Sequence, residues 1–167
     1  MHALVFGLTN VKEITPETVD DVTVLNELPL ADYTEEVSFQ DQHFSQLATL
    51  LGKHFGNDNL ALDQSPKRIT ISRSGILRYF DGLRAALKDT IAFAMDKPIE
   101  DFIHLRGESD WYAIKTLIDD PFATQFYMEG YGSGSITVFT HNLYVQMGYE
   151  QTDSITLELT QVFDAHY

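Results

Sequence analysis

Apolar side chains recur at helical spacing in two long stretches, each flanked by residues that favour helix ends. The first follows Ser38 and Asp41, spaced as in a capping box, and ends before Gly56. The second follows Ser74, the expected N-cap, and ends before Pro98. The pattern predicts helices over about 39–55 and 74–96. Their apolar positions are Phe44, Leu47, Leu51 and Phe55 in the first helix and Leu77, Phe80, Leu83, Leu87, Ile91 and Ala94 in the second.

Two other segments are typical of strands. Residues 3–8 form a short apolar run that suits a buried strand. Arg68–Ser72 alternates isoleucine with polar residues just after Pro66, which favours a second strand.

Two further segments have weaker patterns. Thr15 and Pro16 suit the start of a helix, whereas the β-branched run Val19–Val24 suits a strand, so both structures stay open there. The apolar spacing that begins at Trp111 predicts a short helix over about 109–119.

Beyond residue 122, β-branched and aromatic residues dominate, and turn signals recur between the apolar segments. Closely connected segments of this kind predict antiparallel strands. The predicted strands are Ile136–Thr140, Leu143–Tyr149 and Ile155–Phe163. The fold class is therefore expected to be α+β, with two or three helices packed on a mainly antiparallel sheet, a C-terminal β-meander, and a single domain over residues 1–167.

The amino-acid composition indicates a folded protein and the kind of compartment that it occupies. The chain has 167 residues, of which 44% are hydrophobic, enough to bury a sizeable core. The absence of cysteine excludes disulfides and thiolate chemistry and suits a reducing compartment. No window approaches the roughly 18 apolar residues of a membrane span. We therefore expect a cytoplasmic protein without a membrane partner.

The formal charge of -14 is unevenly distributed. Residues 1–63 and residues 98–167 each carry two basic and eleven acidic side chains. The segment between them, residues 64–97, carries seven basic and three acidic side chains, and we call it the basic island. We expect the island to pack among the acidic flanks. The overall charge repels phosphate backbones, so no nucleic acid partner is expected.

Two polar groups of residues suggest a site. His104, Arg106 and Glu108 alternate along a strip beside Trp111, where they suit acid–base chemistry or a solvated loop with internal ion pairs. Arg73 and Ser74 lie where a strand passes into the second helix, with Arg78 one turn further on. That position suits an anion at a helix N-terminus, although a serine N-cap with a surface arginine explains the same residues.

Three other features favour structural interpretations. Gly130–Ser135 resembles a phosphate loop in its glycines, but we expect a strand after it, which favours a hairpin connection. No two histidines are spaced four residues apart, so no metal site is expected, and no other cofactor is expected either. Aromatic residues crowd the C-terminal third, where they suit core packing, an interface or a small-molecule pocket. They are Phe122, Phe126, Tyr127, Tyr131, Phe139, Tyr144 and Tyr149.

No P-loop, dinucleotide fingerprint or nucleophile elbow occurs in the chain, which favours a non-enzymatic role. We expect a protein–protein interaction or regulatory module whose acidic surface engages a basic protein, with an inhibitor or nucleic-acid mimic as a narrower form. The alternative is a protein or enzyme that binds an anionic small molecule. Its polar site would comprise Arg73, Ser74, Arg78, His104, Arg106 and Glu108. Either interpretation is compatible with a homo-oligomer.

Overall fold

The structure is a computed structural model that describes residues 2–12, 33–38, 41–96, 125–128 and 130–166. The predictions for residues 15–24 and for the helix over 109–119 lie outside the described residues. No helix in the described ranges combines the length and the apolar character that crossing a membrane requires.

The described strands form one mixed sheet of seven strands. The strands are β1 (His2–Asn10), β2 (Tyr33–Glu36), β3 (Leu60–Gln64), β4 (Lys67–Ser72), β5 (Phe126–Met128), β6 (Gly132–Gly134) and β7 (Ser154–His166). Their order is β3-β4-β7-β1-β5-β6, and β2 also pairs with β7. The β1/β5 pair is parallel and the other pairs are antiparallel. The sheet is therefore mainly antiparallel, as predicted.

The centre of the sheet is the pairing of β7 with β1. Along this pair the register passes from Leu8 opposite Leu159 to Gly7 opposite Gln161, so that Thr160 is an extra residue. Such a bulge shifts the alternation of side chains, which is why Leu159 and Val162 both belong to the core. The Thr160 hydroxyl donates to the Gly7 carbonyl at 3.2 Å.

In the described ranges, three helices pack on one face of the sheet: α1 (Asp41–Phe55), α2 (Arg73–Met95) and α3 (Ile136–Glu150). In α1 the four predicted apolar positions are fully buried, which confirms the predicted helix and its core face. The α+β class is confirmed by this arrangement. The opposite face of the sheet also buries Val5 and Phe163 completely. Burial on both faces explains why residues 3–8 read as a continuous apolar run.

The helix α2 is confirmed, but its contact with the core differs from the prediction. Ile76 is fully buried, and Tyr79 and Phe80 pack against the core. Leu77 and Ile91, which the predicted stripe includes, are 48% and 47% exposed. The core contact is therefore concentrated in the first two turns of a 23-residue helix.

The prediction of two strands over residues 136–149 was wrong, because this segment is the helix α3. Its buried residues recur at helical spacing, and burial of that stripe overrides the local β propensity. They are Phe139, Thr140, Leu143, Gln146 and Met147. The helix ends at Gln151, which has a left-handed backbone, and the Thr152 N–H closes the last turn on the Met147 carbonyl at 3.1 Å. Of the predicted meander, only the last strand is present, as β7.

Candidate functional site

The start of α2 is a network of side chains from three elements. Ser72, the last residue of β4, is the N-cap, and its Oγ accepts from the Gly75 N–H at 3.3 Å. The prediction that Ser74 caps the helix was therefore wrong, because the extended backbone of Ser72 places its hydroxyl over the first turn. The Ser74 hydroxyl instead donates to Asn59 Oδ1 at 2.5 Å. Asn59 in turn donates to the Phe55 carbonyl at the end of α1, at 2.9 Å.

Arg73 points toward the turn between α3 and β7. Its Nε donates to Asp153 Oδ1 at 2.8 Å, and its Nη2 donates to the Thr152 carbonyl at 2.8 Å. The guanidinium also lies 5.7 Å from the centroid of the Tyr144 ring, within the range of a cation–π contact. Arg73 is thus held by groups of this chain on three sides.

Arg78 points toward the loop that follows the C-terminal end of α1. Its Nη1 lies 3.9 Å from Asp58 Oδ1, and a Cβ added to Gly56 would lie 2.7 Å from the same nitrogen. The structure therefore directs the two arginines of the predicted anion site to different loops. The other three predicted site residues, His104, Arg106 and Glu108, lie outside the described residues.

Among the described residues, four cations of the basic island pair with carboxylates of the acidic flanks. Besides the contacts of Arg73 and Arg78, Arg68 Nε lies 2.9 Å from Glu158 Oε2. Lys67 Nζ lies 2.5 Å from Asp41 Oδ1. These pairs fulfil the expectation that the island packs among acidic segments. They also neutralise much of the positive charge that an anionic ligand would use.

The glycine-rich segment takes part in a hairpin, but Gly132–Gly134 is its second strand, β6, and not the expected connection. Gly130 and Gly132 have φ angles of 78° and 77°, a backbone region that favours glycine. A concavity of about 560 Å³ lies at this hairpin, lined by Tyr127, Gly130, Tyr131, Gly132 and Ser133. The expectation of a strand after the segment was wrong, because α3 begins at Ile136.

The described aromatic residues of the C-terminal third differ in exposure, while Phe122 lies outside the described residues. Phe126 and Phe139 stack in the core with centroids 4.3 Å apart. Tyr144 and Tyr149, in contrast, are 42% and 83% exposed on α3. The two side chains project about 140° apart around the helix axis, on the side of α3 opposite its buried residues. Gly148 lies between them, and a Cβ there would meet no heavy atom within 4 Å. We call Tyr144, Gly148 and Tyr149 the tyrosine face.

The three helices also meet around Tyr79 of α2, which contacts His54 of α1 and Thr137 of α3. The Tyr79 hydroxyl lies 2.7 Å from Thr137 Oγ1, and the Tyr79 ring packs edge-on against His54, with centroids 5.8 Å apart. Burial, and to a smaller extent the charge of Lys53, lowers the pKa of His54 below its ordinary value. Burial raises the pKa of Tyr79, although its hydrogen bond to Thr137 opposes that shift. Both groups are therefore neutral near pH 7, and they join the helices by packing and hydrogen bonding.

Within the described ranges, no three His, Asp or Glu side chains are grouped so as to hold a metal ion. Comparison with models of protein families, with curated proteins and with solved structures finds no match to this chain. The sequence pattern marks Arg73 and Tyr144 separately, but it assigns no site role to Asp153, Thr152 or Asn59. Only the fold brings these residues to the start of α2.

Proposed function

We propose that the protein is a non-enzymatic protein-binding module that engages a basic partner through the tyrosine face of α3. The observation that carries this proposal is the exposure of Tyr149, at 83%, and of Tyr144, at 42%, on a helix whose other side is fully buried. Tyrosine is enriched at interfaces because it supplies a large rigid contact and a polar hydroxyl together.

The geometry of the tyrosine face favours a cationic side chain. Arg73 already places its guanidinium 5.7 Å from the Tyr144 ring, which is an intramolecular example of such a contact. The second ring, that of Tyr149, is open to solvent, and Gly148 next to it adds no side chain. An arginine of a partner could stack on the exposed Tyr149 ring, in the same kind of contact that Arg73 makes with Tyr144.

The charge of the chain supports the same class of partner. A net charge of -14 attracts a basic protein at long range and speeds its encounter. Next to the tyrosine face, the side chain of Asp153 is 93% exposed, so that its carboxylate, which accepts from Arg73 through Oδ1, can also accept from a partner cation. A cytoplasmic location and inhibition by nucleic-acid mimicry are narrower forms of this proposal, suggested by the composition and charge.

The alternative function, binding of an anionic small molecule, has less support. In the described part of that site, Arg73 is held by Asp153 and Thr152, and Ser74 is held by Asn59. An anion at the start of α2 would have to replace these contacts. Titration with inorganic phosphate, followed by the chemical shifts of Arg73 and Ser74, tests this alternative directly.

The test of the proposal uses three labelled peptides of about 12 residues, in which glycine alternates with arginine, lysine or glutamate. We expect the arginine peptide to bind most tightly and the glutamate peptide to show no binding, measured by fluorescence anisotropy. Replacement of Tyr149 by alanine should weaken arginine-peptide binding by about five-fold, the value of one exposed cation–π contact. The matched control is Met95→Ala on α2, because Met95 is also apolar and is 67% exposed.

A second arm separates long-range attraction from the contact itself. Changing both Glu35 and Glu36, exposed on β2, to lysine should slow association and weaken its salt dependence. The control for this double variant is Arg78→Ala, which should change binding little. Arg73→Ala is unsuitable as a control, because Arg73 contacts Tyr144 in the proposed binding face. Equal binding of the glutamate peptide, or equal effects of Tyr149→Ala and Met95→Ala, would refute the proposed function.

A further inference from the structure

The strand β3 forms one end of the sheet and is exposed along most of its length. Among the described strands it pairs with β4 alone. Ala61, Leu62, Asp63 and Gln64 are exposed, and Leu62 retains 49% of its accessible surface. In an antiparallel pair, alternate residues direct their backbone N–H and C=O groups away from the partner strand. The outer side of β3 therefore offers backbone groups that another strand can pair with.

The sequence of β3 lacks the features that usually protect an edge strand. Natural edges are protected by shortness, by charges (lysine above all), by proline or by a bulge. The other described strands with an open side have such protection, since β6 is three residues of glycine and serine and β2 carries Glu35 and Glu36. The five residues of β3 pair regularly with β4 and carry one charge, Asp63.

The side chains of β3 are complementary to a second β3 in antiparallel orientation. If two copies pair about Leu62, each Leu62 lies opposite its counterpart, and Asp63 lies opposite Ala61. Directly opposed residues share a face of the sheet. Leu62 is opposite Ile69 in β4, and Ile69 is opposite Leu157 in β7. The apolar row Leu157, Ile69, Leu62 would thus continue without a break into the second copy.

The charges near β3 also permit this pairing. Residues 41–72 contain three acidic and three basic side chains, so this region lacks the excess negative charge of the whole chain. On the other face of the sheet, Asp63 is opposite Arg68, which also pairs with Glu158. Pairing about Leu62 keeps the two Asp63 carboxylates out of direct opposition, whereas pairing about Asp63 would oppose them.

We propose that the protein forms a symmetric homodimer in which β3 of one copy pairs antiparallel with β3 of the other, centred on Leu62. The occupant of this edge is a second copy of this chain, and the two sheets become continuous. A contact of five residues, about 17 Å long, is smaller than a standard interface. The dimer is therefore weak, with a dissociation constant between about 10 µM and 1 mM.

Sedimentation equilibrium of the whole chain from about 5 µM to 2 mM tests the dimer, a range set by the affinity expected for a small interface. We expect Leu62→Lys to raise the dissociation constant at least about ten-fold, because it places like charges in direct opposition. The control is Leu77→Lys, which changes the net charge identically at a leucine on α2 that is 48% exposed. It should leave the constant within about two-fold of the wild type, since Leu77 lies outside the proposed contact.

A mixture of Leu62→Lys and Leu62→Glu chains tests the register. Opposite charges at facing positions should restore dimers in the mixture, while each variant alone remains monomeric. Circular dichroism of each variant alone checks that it folds. A wild type that stays monomeric at about 2 mM, a dimer that survives Leu62→Lys, or a mixture that fails to associate would each overturn the proposal.

Discussion

Gly75, in the first turn of α2, packs directly against the end of α1. A Cβ added there would lie 2.9 Å from Asn59 Cβ and 3.1 Å from Phe55 Cβ. Gly82 lies in the same helix, but a Cβ at that position would meet no heavy atom within 4 Å. The two glycines therefore have different roles, which the sequence alone does not distinguish.

We predict opposite effects for alanine at these two positions. Gly75→Ala should lower the free energy of unfolding by about 1–3 kcal/mol, because the added methyl group forces α1 and α2 apart. Gly82→Ala should raise it by about 0.5–1 kcal/mol, since alanine favours an open helical position. Urea denaturation of both variants measures the difference. A change of the same sign for both would contradict the close packing of Gly75.

At the same scale, the candidate site was only partly accessible to sequence reasoning. Arg73 was singled out for its place before a helix, and Tyr144 for its aromatic ring. Their contact depends on the turn that follows α3, where Thr152 and Asp153 hold the guanidinium. Because the local pattern of residues 143–149 predicts a strand, the position of that turn and the exposure of Tyr149 follow only from the structure.

Among the elements, α2 has its anchor nearer its start than its apolar spacing suggests. Ile76 is fully buried, whereas Leu83 and Leu87 are only partly buried. We predict that Ile76→Ala lowers the free energy of unfolding by about 2–5 kcal/mol, the range for a buried large-to-small change. Leu87→Ala should lower it by less than half as much, because less surface returns to water.

Urea denaturation of the two variants, together with Leu83→Ala, measures this gradient along the helix. Alanine also has the higher helix propensity, so a loss at any of these positions reports packing. A loss at Leu83 or Leu87 that equals the loss at Ile76 would show that the distal part of α2 is anchored as firmly as its first turns.

The elements that sequence patterns predict well are those with one buried face and clear ends. The helix α1 has four buried apolar positions between a capping signal and Gly56, and it was predicted closely. The bulge at Thr160 changes the phase of alternation within β7, which ordinary periodicity does not follow. The strand β3 was missed because four of its five residues are exposed, so no alternation marks it.

The net charge of the whole chain, -14, is far more negative than the net charge of the described residues. They contain eight basic and twelve acidic side chains. Six Lys or Arg side chains among them pair with carboxylates, and most of these pairs are substantially exposed. Exposed pairs contribute little to stability, about 0–1 kcal/mol each. The net charge of -14, in contrast, opposes the compact state through repulsion over the whole chain.

We therefore predict that salt stabilises the protein. Raising sodium chloride from about 10 to 200 mM shortens the Debye length from about 30 to 7 Å, which screens repulsion between distant carboxylates. The free energy of unfolding should rise by an amount on the order of 1 kcal/mol, because screening acts on the compact state more than on the expanded chain. Urea is the suitable denaturant, since guanidinium would itself screen the charges.

The control for this prediction changes charge without touching the core. Glu35 and Glu36 are exposed on β2, and replacing both with glutamine lowers the net negative charge by two. That variant should be more stable than the wild type at low salt and should gain less from added salt, since less repulsion remains to be screened. Measurement at a few micromolar protein, well below the expected dissociation constant of the β3 dimer, keeps self-association out of the comparison. A fall in the free energy of unfolding on adding salt would mean that attraction within the ion pairs outweighs repulsion between the carboxylates. The prediction would then be wrong.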